Sequence, residues 1–197
     1  MIEHTLKYAD IHRDIVEACM ANDKQAQYRL YQLYSRAMYN ICFRMLGNES
    51  DAEDVLQNAF IDVFTKLHHF RFESAIGAWI KRIVVNNCIN FLKKRRLEIV
   101  PLEDREVAVS GSASNLNEST DPLLNVETIK QAIPLLPEGY RVIFNMYLLE
   151  GYDHVEISEI LGISVSTSKS QLNRAKAKLR KIILEQHQKE NTNARPA

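Results

Sequence analysis

Two groups of side chains in this 197-residue chain have the types and spacing to handle nucleic acid. In the first, Phe70, Phe72 and Trp79 stand beside Lys81, Arg82, Lys93, Lys94, Arg95 and Arg96, with Asn86 and Asn87 about one helical turn from Asn90. Aromatic rings next to positive charge suit unpaired bases, because stacking is worth about 1–3 kcal/mol per base and the cations follow the phosphates. Trp79 also shares an apolar stripe with Ile76, Ile80 and Ile83, so it is expected in the core and the loop Phe70–Ser74 at the contact. In the second group, Ser166, Thr167, Lys169, Ser170, Gln171 and Arg174 occupy the start of a basic helix. There Gln can bond adenine bidentately and Arg or Lys can bond guanine, each worth about 1–3 kcal/mol of discrimination. Lys176, Lys178, Arg180 and Lys181 lie further along and suit phosphates. The competing readings are an ordinary helical hairpin and two solvated helix faces.

Nothing comparable supports an enzyme. The chain has no Walker loop, no G-x-S-x-G and no H-E-x-x-H. His154-Val-Glu156 resembles half of a zinc deaminase signature, without the P-C-x-x-C half. His68-His69 has no nearby cysteine and reads as a loop pair. Cys19, Cys42 and Cys88 are odd in number, widely spaced and set among helix-type apolar residues, which argues against a disulfide framework or a zinc site. No catalytic residue, metal or cofactor is assigned.

The charges are segregated. Lys plus Arg equals Asp plus Glu at 25 each, for a formal net charge of zero. Yet no acid occurs from Ser74 to Leu97 or from Ile160 to Leu184, the two segments that hold the cations above. Opposing them are Glu49, Asp51, Glu53, Asp54 and Asp62, and a mostly acidic centre from Glu98 to Glu127. A patch, not the average, sets the local potential, so two acid-free basic segments point to a polyanion. With 46% apolar and 25% charged residues, and no apolar run of the length a bilayer needs, the chain reads as folded and soluble. The mixed polar start, Met1 to Asp10, is unlike a signal peptide, and a cytoplasmic location is expected.

The elements that must carry these side chains are helices. Only 6 Gly and 5 Pro argue against a β-sandwich or a Gly-rich nucleotide binder, and the expected fold is all-α with two small helical domains. From Asp23 to Leu46, the residues Ala26, Leu30, Leu33, Ala37, Met38, Ile41 and Met45 recur at helical spacing, and Gly47 follows as a stop. Ser50 and Glu53 have the spacing of a capping box ahead of Ala52, Val55, Leu56, Ala59, Phe60, Val63 and Leu67. A break at His68 to Glu73 precedes a third helix, with Ser74 as its cap, running to Leu92. These helices define a first domain at 10–97. Residues 98–125 include VSGSASNLNESTD, too weakly apolar to offset their ordering entropy, and read as a flexible linker. A second domain spans 126–186. Pro134 ends its first helix, Pro137 opens the next, and Tyr140 to Leu149 forms a short apolar helix that stops at Gly151. Asp153 and Glu156 pair as a cap, Gly162 turns, and Ser164 or Ser166 caps a helix carrying Leu172, Ala175, Leu179 and Ile182. Two helices about a Gly-containing turn, the second basic, make the helix-turn-helix pattern.

These segments resemble a known family. SDAEDVLQNAFIDVFTKL is similar to the polymerase-binding helix of bacterial RNA polymerase sigma factors of the sigma-70 family, in the small two-domain extracytoplasmic-function (ECF) group. FRFESAIGAWIKRIVVNNCINFLKKRR resembles that family's promoter-melting segment, and LPEGYRVIFNMYLLEGYDHVEISEILGISVSTSKSQLNRAKAKLRKII its second promoter-binding domain. The resemblance implies that Asp51, Asp54 and Gln57 dock on the clamp coiled coil of the largest subunit of core RNA polymerase. It implies that Phe70, Arg71, Phe72, Glu73, Ser74 and Asn86 hold the unpaired non-template strand of the minus-ten element, with Arg82, Lys93, Lys94, Arg95 and Arg96 along the phosphates. The helix from Ser166, with Thr167, Lys169, Ser170, Gln171, Arg174 and Lys178, would read the minus-thirty-five element of promoter DNA as duplex. An anti-sigma factor is a further implied partner. Asn58 stands where an acid is common in the family, Ser168 where a Val is common, and Gln171 where an Arg is common.

Opening duplex DNA costs about 1.4 kcal/mol of stacking per base-pair step, whereas a few stacked bases and one flipped nucleotide return only a few kcal/mol. A chain of this size can trap an open segment but not open one alone. The main rival is a one-component regulator that binds operators as a dimer through residues 137–184, with a sensor or dimerisation surface in 1–97. Sedimentation velocity separates the two: the sigma-like reading predicts a monomer at micromolar concentration, and a stable dimer would favour the regulator.

Overall fold

The computed structural model describes residues 11–95 and 126–193, with side chains to Lys189. The expected linker at 98–125, and Arg96, lie outside the described residues. The chain divides into two compact units, Met1–Arg96 and Leu97–Ala197. Every regular element among the described residues is helical, and none of these helices is long and apolar enough to cross a membrane.

The first unit holds α1 (Arg13–Met20), α2 (Lys24–Leu46), α3 (Glu49–Lys66), a 3-10 turn at Leu67–His69 and α4 (Ile76–Lys94). Asp23 starts α2 by accepting from the backbone N–H groups of Gln25 and Ala26, at 2.8 and 3.3 Å. Gly47 ends it in the left-handed conformation, φ 72°. The next cap differs from the expected one. Asn48, not Ser50, is the N-cap of α3, and its side chain accepts from Asp51 N at 3.0 Å. The chain is already extended at Asn48, directly after the Gly47 turn, so Ser50 falls inside the helix. Likewise Ala75, not Ser74, precedes α4, which has no side-chain cap; the Ala75 carbonyl accepts from Ala78 and Trp79 instead.

Leu30, Met38, Ile41 and Met45 of α2, the whole stripe Ala52–Val63 of α3, and Ile80, Val84 and Cys88 of α4 are buried together. Leu33 and Ala37 depart from the expected stripe and are exposed, because the buried line of α2 centres on Met38, Ile41 and Met45 and leaves them on its rim. The three cysteines are buried free thiols. Burial, with Asp23 nearby, pushes the Cys19 thiol up to about 11, which keeps it protonated and unreactive.

The second unit holds α5 (Val126–Ala132), a 3-10 turn at Ile133–Leu135, α6 (Glu138–Phe144), a π-helical turn at Asn145–Leu149, α7 (His154–Leu161) and α8 (Val165–Asn193). Pro134 lies in the 3-10 turn that ends the first helix, and Pro137 sits at the N-cap of α6. The single helix expected over Tyr140–Leu149 changes register: Asn145 Nδ2 takes the Arg141 carbonyl at 2.8 Å, and Glu150 N reaches back five residues to Asn145 O. Arg141 is buried and donates to the Pro134 and Leu136 carbonyls, at 3.0 and 3.1 Å, closing the turn beneath α6. Asp153 and Glu156 form the capping box of α7, Gly162 turns at φ 73°, and Ser164 Oγ accepts from Thr167 N at 3.0 Å. Leu172, Ala175, Leu179 and Ile182 of α8 are buried, with Ile183.

One close approach organises the first unit. A Cβ added at Gly77 would lie 2.8 Å from Cε1 of Tyr34, and the Tyr34 hydroxyl is bonded to His12 Nδ1 at 3.0 Å. The ring is therefore tethered at its far end and cannot swing away freely. Gly77→Ala is expected to destabilise the unit by about 1 kcal/mol net, because overpacking of about 1–3 kcal/mol outweighs the gain of about 1 kcal/mol from replacing a helical glycine. Urea denaturation of the variant against the parent chain measures it; a stabilised variant would show that Tyr34 yields.

Candidate nucleic-acid interface

The loop between the 3-10 turn and α4 is built on tilted contacts between aromatic rings. Phe70 is only 6% exposed; its ring lies 5.0 Å from that of Phe72 and 5.4 Å from that of Trp79. Phe70 thus departs from the expected contact and is buried, while Trp79, expected in the core, is only partly covered. Trp79 lies on the edge of the α4 stripe, whereas Phe70 enters the core beside Leu67. Phe72 is partly exposed and has φ 58°, a left-handed backbone costing roughly 1–2 kcal/mol for a residue other than glycine. Arg71, Glu73 and Ser74 are exposed.

From this loop α4 presents Arg82, Asn86, Asn90 and Lys93 at steps of four and three residues, all exposed on one face, with Lys94 and Arg95 exposed beside its end. Asn87 belongs elsewhere. Its Nδ2 donates to Asp62 Oδ2 at 3.0 Å and to the Ile83 carbonyl at 3.1 Å. That bond, and then Lys66 at 3.0 Å, hold the Asp62 carboxyl below its ordinary range. Asp62 is therefore a tie between α3 and α4. Asn90, grouped with Asn86 in the sequence but given no role by the family resemblance, shares its exposed face.

On α3, Glu53, Asp54, Gln57 and Asn58 are exposed, and so is Ile61, at 64%. Asp54, Gln57, Asn58 and Ile61 share one face at three-and-four spacing. Beside it a groove of about 320 Å³ opens between α2 and α3, lined by Tyr31, Arg36 and Tyr39 on one side and Glu53 and Gln57 on the other. Ile61 was missed because the acids, not the apolar residue among them, carried the sequence signal. Asp51 is set apart from this ridge. Its side chain is 14% exposed, and its two carboxylate oxygens accept from Arg95 Nη1 and Nη2 at 2.6 and 3.0 Å. The Arg95 guanidinium also lies 4.6 Å from the Phe91 ring centroid.

In the second unit, Ser166, Lys169, Ser170, Arg174 and Lys178 are exposed along α8, with Asn173 among them, and Thr167 is partly covered. Gln171 departs from the expected reading face: it is 5% exposed, next to Leu172 on the packed side of the helix. Asn173 takes its place on the open face. Ser168 is fully buried, and its Oγ lies 2.8 Å from His154 Nδ1, joining α7 to α8. The His154 ring stacks on Tyr147 at 4.4 Å; burial, then Lys169, push its pKa down, favouring the neutral imidazole. His154 and Glu156 are thus occupied in packing and capping. The rings of His68 and His69 lie 3.8 Å apart, tilted by 45°, and no group of three or more metal-ligating side chains occurs among the described residues.

Two family descriptions match the chain: Sigma-70 region 2 over residues 30–98 and Sigma-70, region 4, over residues 127–179. The ECF RNA polymerase sigma factor SigW of Bacillus subtilis (strain 168) is 30% identical over 169 residues, 81% of this chain and 89% of that protein. The ECF RNA polymerase sigma-E factor of Escherichia coli (strain K12) is 30% identical over 170 residues, 82% of this chain and 88% of that protein. Among solved structures, CnrH in complex with the cytosolic domain of CnrY has a similar fold over 88% of this chain and 97% of that one, at 21% identity and a TM-score of 0.50.

The Asp51–Arg95 pair makes a direct prediction. Arg95 is 58% exposed, so solvent screening limits the pair to about 0.5–1 kcal/mol despite its bidentate geometry. Asp51→Ala and Arg95→Ala should each cost up to about 1 kcal/mol, and the double variant little more than the larger single change. Urea denaturation of the four proteins checks this; strict additivity would mean that the pair contributes nothing.

Proposed function

Because the chain belongs to the ECF group of the sigma-70 family, we propose that it binds core RNA polymerase and directs initiation at a defined class of promoters. The observation that carries this reading is the exposed face of α4, where Arg82, Asn86, Asn90 and Lys93 lead away from the Phe70–Ser74 loop. Stacking rings at one end and cations along the rest suit an unpaired strand better than a duplex, whose bases are hidden. In this reading Phe72 and Asn86 receive unstacked bases of the minus-ten element, and Arg82, Lys93, Lys94 and Arg95 follow its phosphates. The face of α8 with Ser166, Lys169, Ser170, Asn173, Arg174 and Lys178 reads the minus-thirty-five duplex.

Polymerase docking falls to Asp54, Gln57 and Ile61 of α3, an acidic rim around an apolar residue, as a protein contact requires. Asp51 acts through Arg95. The acids also oppose DNA binding by the free chain, so that promoter contact follows docking. An anti-sigma factor that covers these surfaces would hold the protein inactive.

Run-off transcription with core polymerase on genomic fragments tests the function, and gel-shift titration tests the order of events. The chain should add specific transcripts that core polymerase alone does not make. Promoter binding without polymerase should be weak, and binding with it should fall by several decades between low and moderate salt if 6–10 phosphates are neutralised. No new transcript from any fragment would end the proposal, and tight specific binding by the free chain would remove the docking-first order.

A further inference from the structure

The match to Sigma-70 region 2 begins at residue 30, so α1 precedes it, yet α1 reaches the aromatic loop. The Arg13 guanidinium carbon lies 4.6 Å from the centroid of the Phe72 ring. Arg13 Nε donates to Glu17 Oε1 at 2.8 Å, one turn along, which orients the guanidinium. The start of α1 is pinned in turn: the His12 ring bonds the Tyr34 hydroxyl at 3.0 Å and meets that ring edge-on at 5.9 Å. Phe72 needs an external hold, because a bulky residue does not stay at φ 58° on local preference. Its ring meets Arg13 and Phe70, and Phe70 is anchored on Trp79.

We propose that Arg13 is a positioning residue of the single-strand site: it holds the Phe72 ring ready for an unpaired base. This rests on the reading of the Phe70–Ser74 loop given above. The side chain of Arg13 is half exposed and its charge is paired with Glu17, so its part is to hold the ring rather than to bind phosphates. A lysine could supply charge but not a planar group over the ring.

The test uses holoenzyme assembled from core polymerase and the full chain. The probe is the fluorescein-labelled non-template single strand spanning the minus-ten region of a promoter found by run-off transcription, and the readout is anisotropy. Arg13→Ala should weaken binding about 2- to 5-fold, the range for an exposed cation–π contact, and Arg13→Lys less. Phe72→Ala should weaken it by about 5-fold or more, as loss of a base-stacking ring does. The Arg13→Ala, Phe72→Ala double variant should bind no more weakly than Phe72→Ala alone, and polymerase affinity should be the same throughout. Parent-like binding by Arg13→Ala beside a clear Phe72→Ala defect overturns the proposal and leaves the loop's function standing. Additive losses overturn it as well, since Arg13 would then act without Phe72. Parent-like binding by Phe72→Ala overturns the loop reading itself. If Arg13→Ala fails to fold, Arg13→Lys is put through the same cycle with Phe72→Ala and decides by the same criteria.

Discussion

The packing of α3 against α4 governs where charge sits in the first unit. Each helix buries one apolar face, and each large side chain removed from water contributes about 1.5–3 kcal/mol, far more than any surface ion pair in the unit. Once Val55, Ala59 and Val63 meet Val84 and Cys88 in one core, the rotation of both helices about their axes is set. The polar residues then divide. Asp51 and Asp62 fall on the flank that α3 shares with α4 and become ties to Arg95 and Asn87, while Asp54 and Gln57 face solvent. The cations of α4 are exposed on their own face for the same reason.

That division bears on the proposed hold of a chain of zero net charge on an unpaired strand. Long-range attraction to DNA is weak when acids offset bases, so affinity must come from local surfaces and from a partner that brings the DNA close. In the proposed function the aromatic loop would be a local surface of this kind. Its geometry depends on a backbone at Phe72 that is unfavourable in isolation and is over-determined by Phe70, Trp79 and Arg13. Strain held by surrounding packing keeps a ring ready before its ligand arrives, which lowers the ordering cost on binding.

In the second unit the corresponding constraint is the angle between α7 and α8. It rests on the Asp153–Glu156 capping box, the left-handed turn at Gly162, the Ser164 cap and the buried contact of His154 with Ser168. The buried Ser168 hydroxyl is accommodated because the imidazole beside it supplies a hydrogen-bond partner. Removing the imidazole would leave the buried Ser168 hydroxyl without that partner.

The amino-acid order alone determined the helical class, the ends of α2, the whole buried stripe of α3, the capping box of α7 and the two basic segments. Each follows from a period of 3.6 residues or from a cap formed within one turn, so neighbours along the chain suffice. The same local reading misjudged the caps at Ser50 and Ser74, because a Ser can cap only where the backbone has already left the helix, and that depends on the preceding turn. The tertiary structure decided what a period cannot resolve: which face of an amphipathic helix is covered, and by what. Phe70 turned into the core and Trp79 stayed only partly covered, Gln171 turned inward while Asn173 turned outward, Asp51 found Arg95 forty-four residues away, and Arg13 met Phe72. Contacts between distant segments depend on how whole helices rotate and pack, and no spacing within one helix encodes its neighbour's phase.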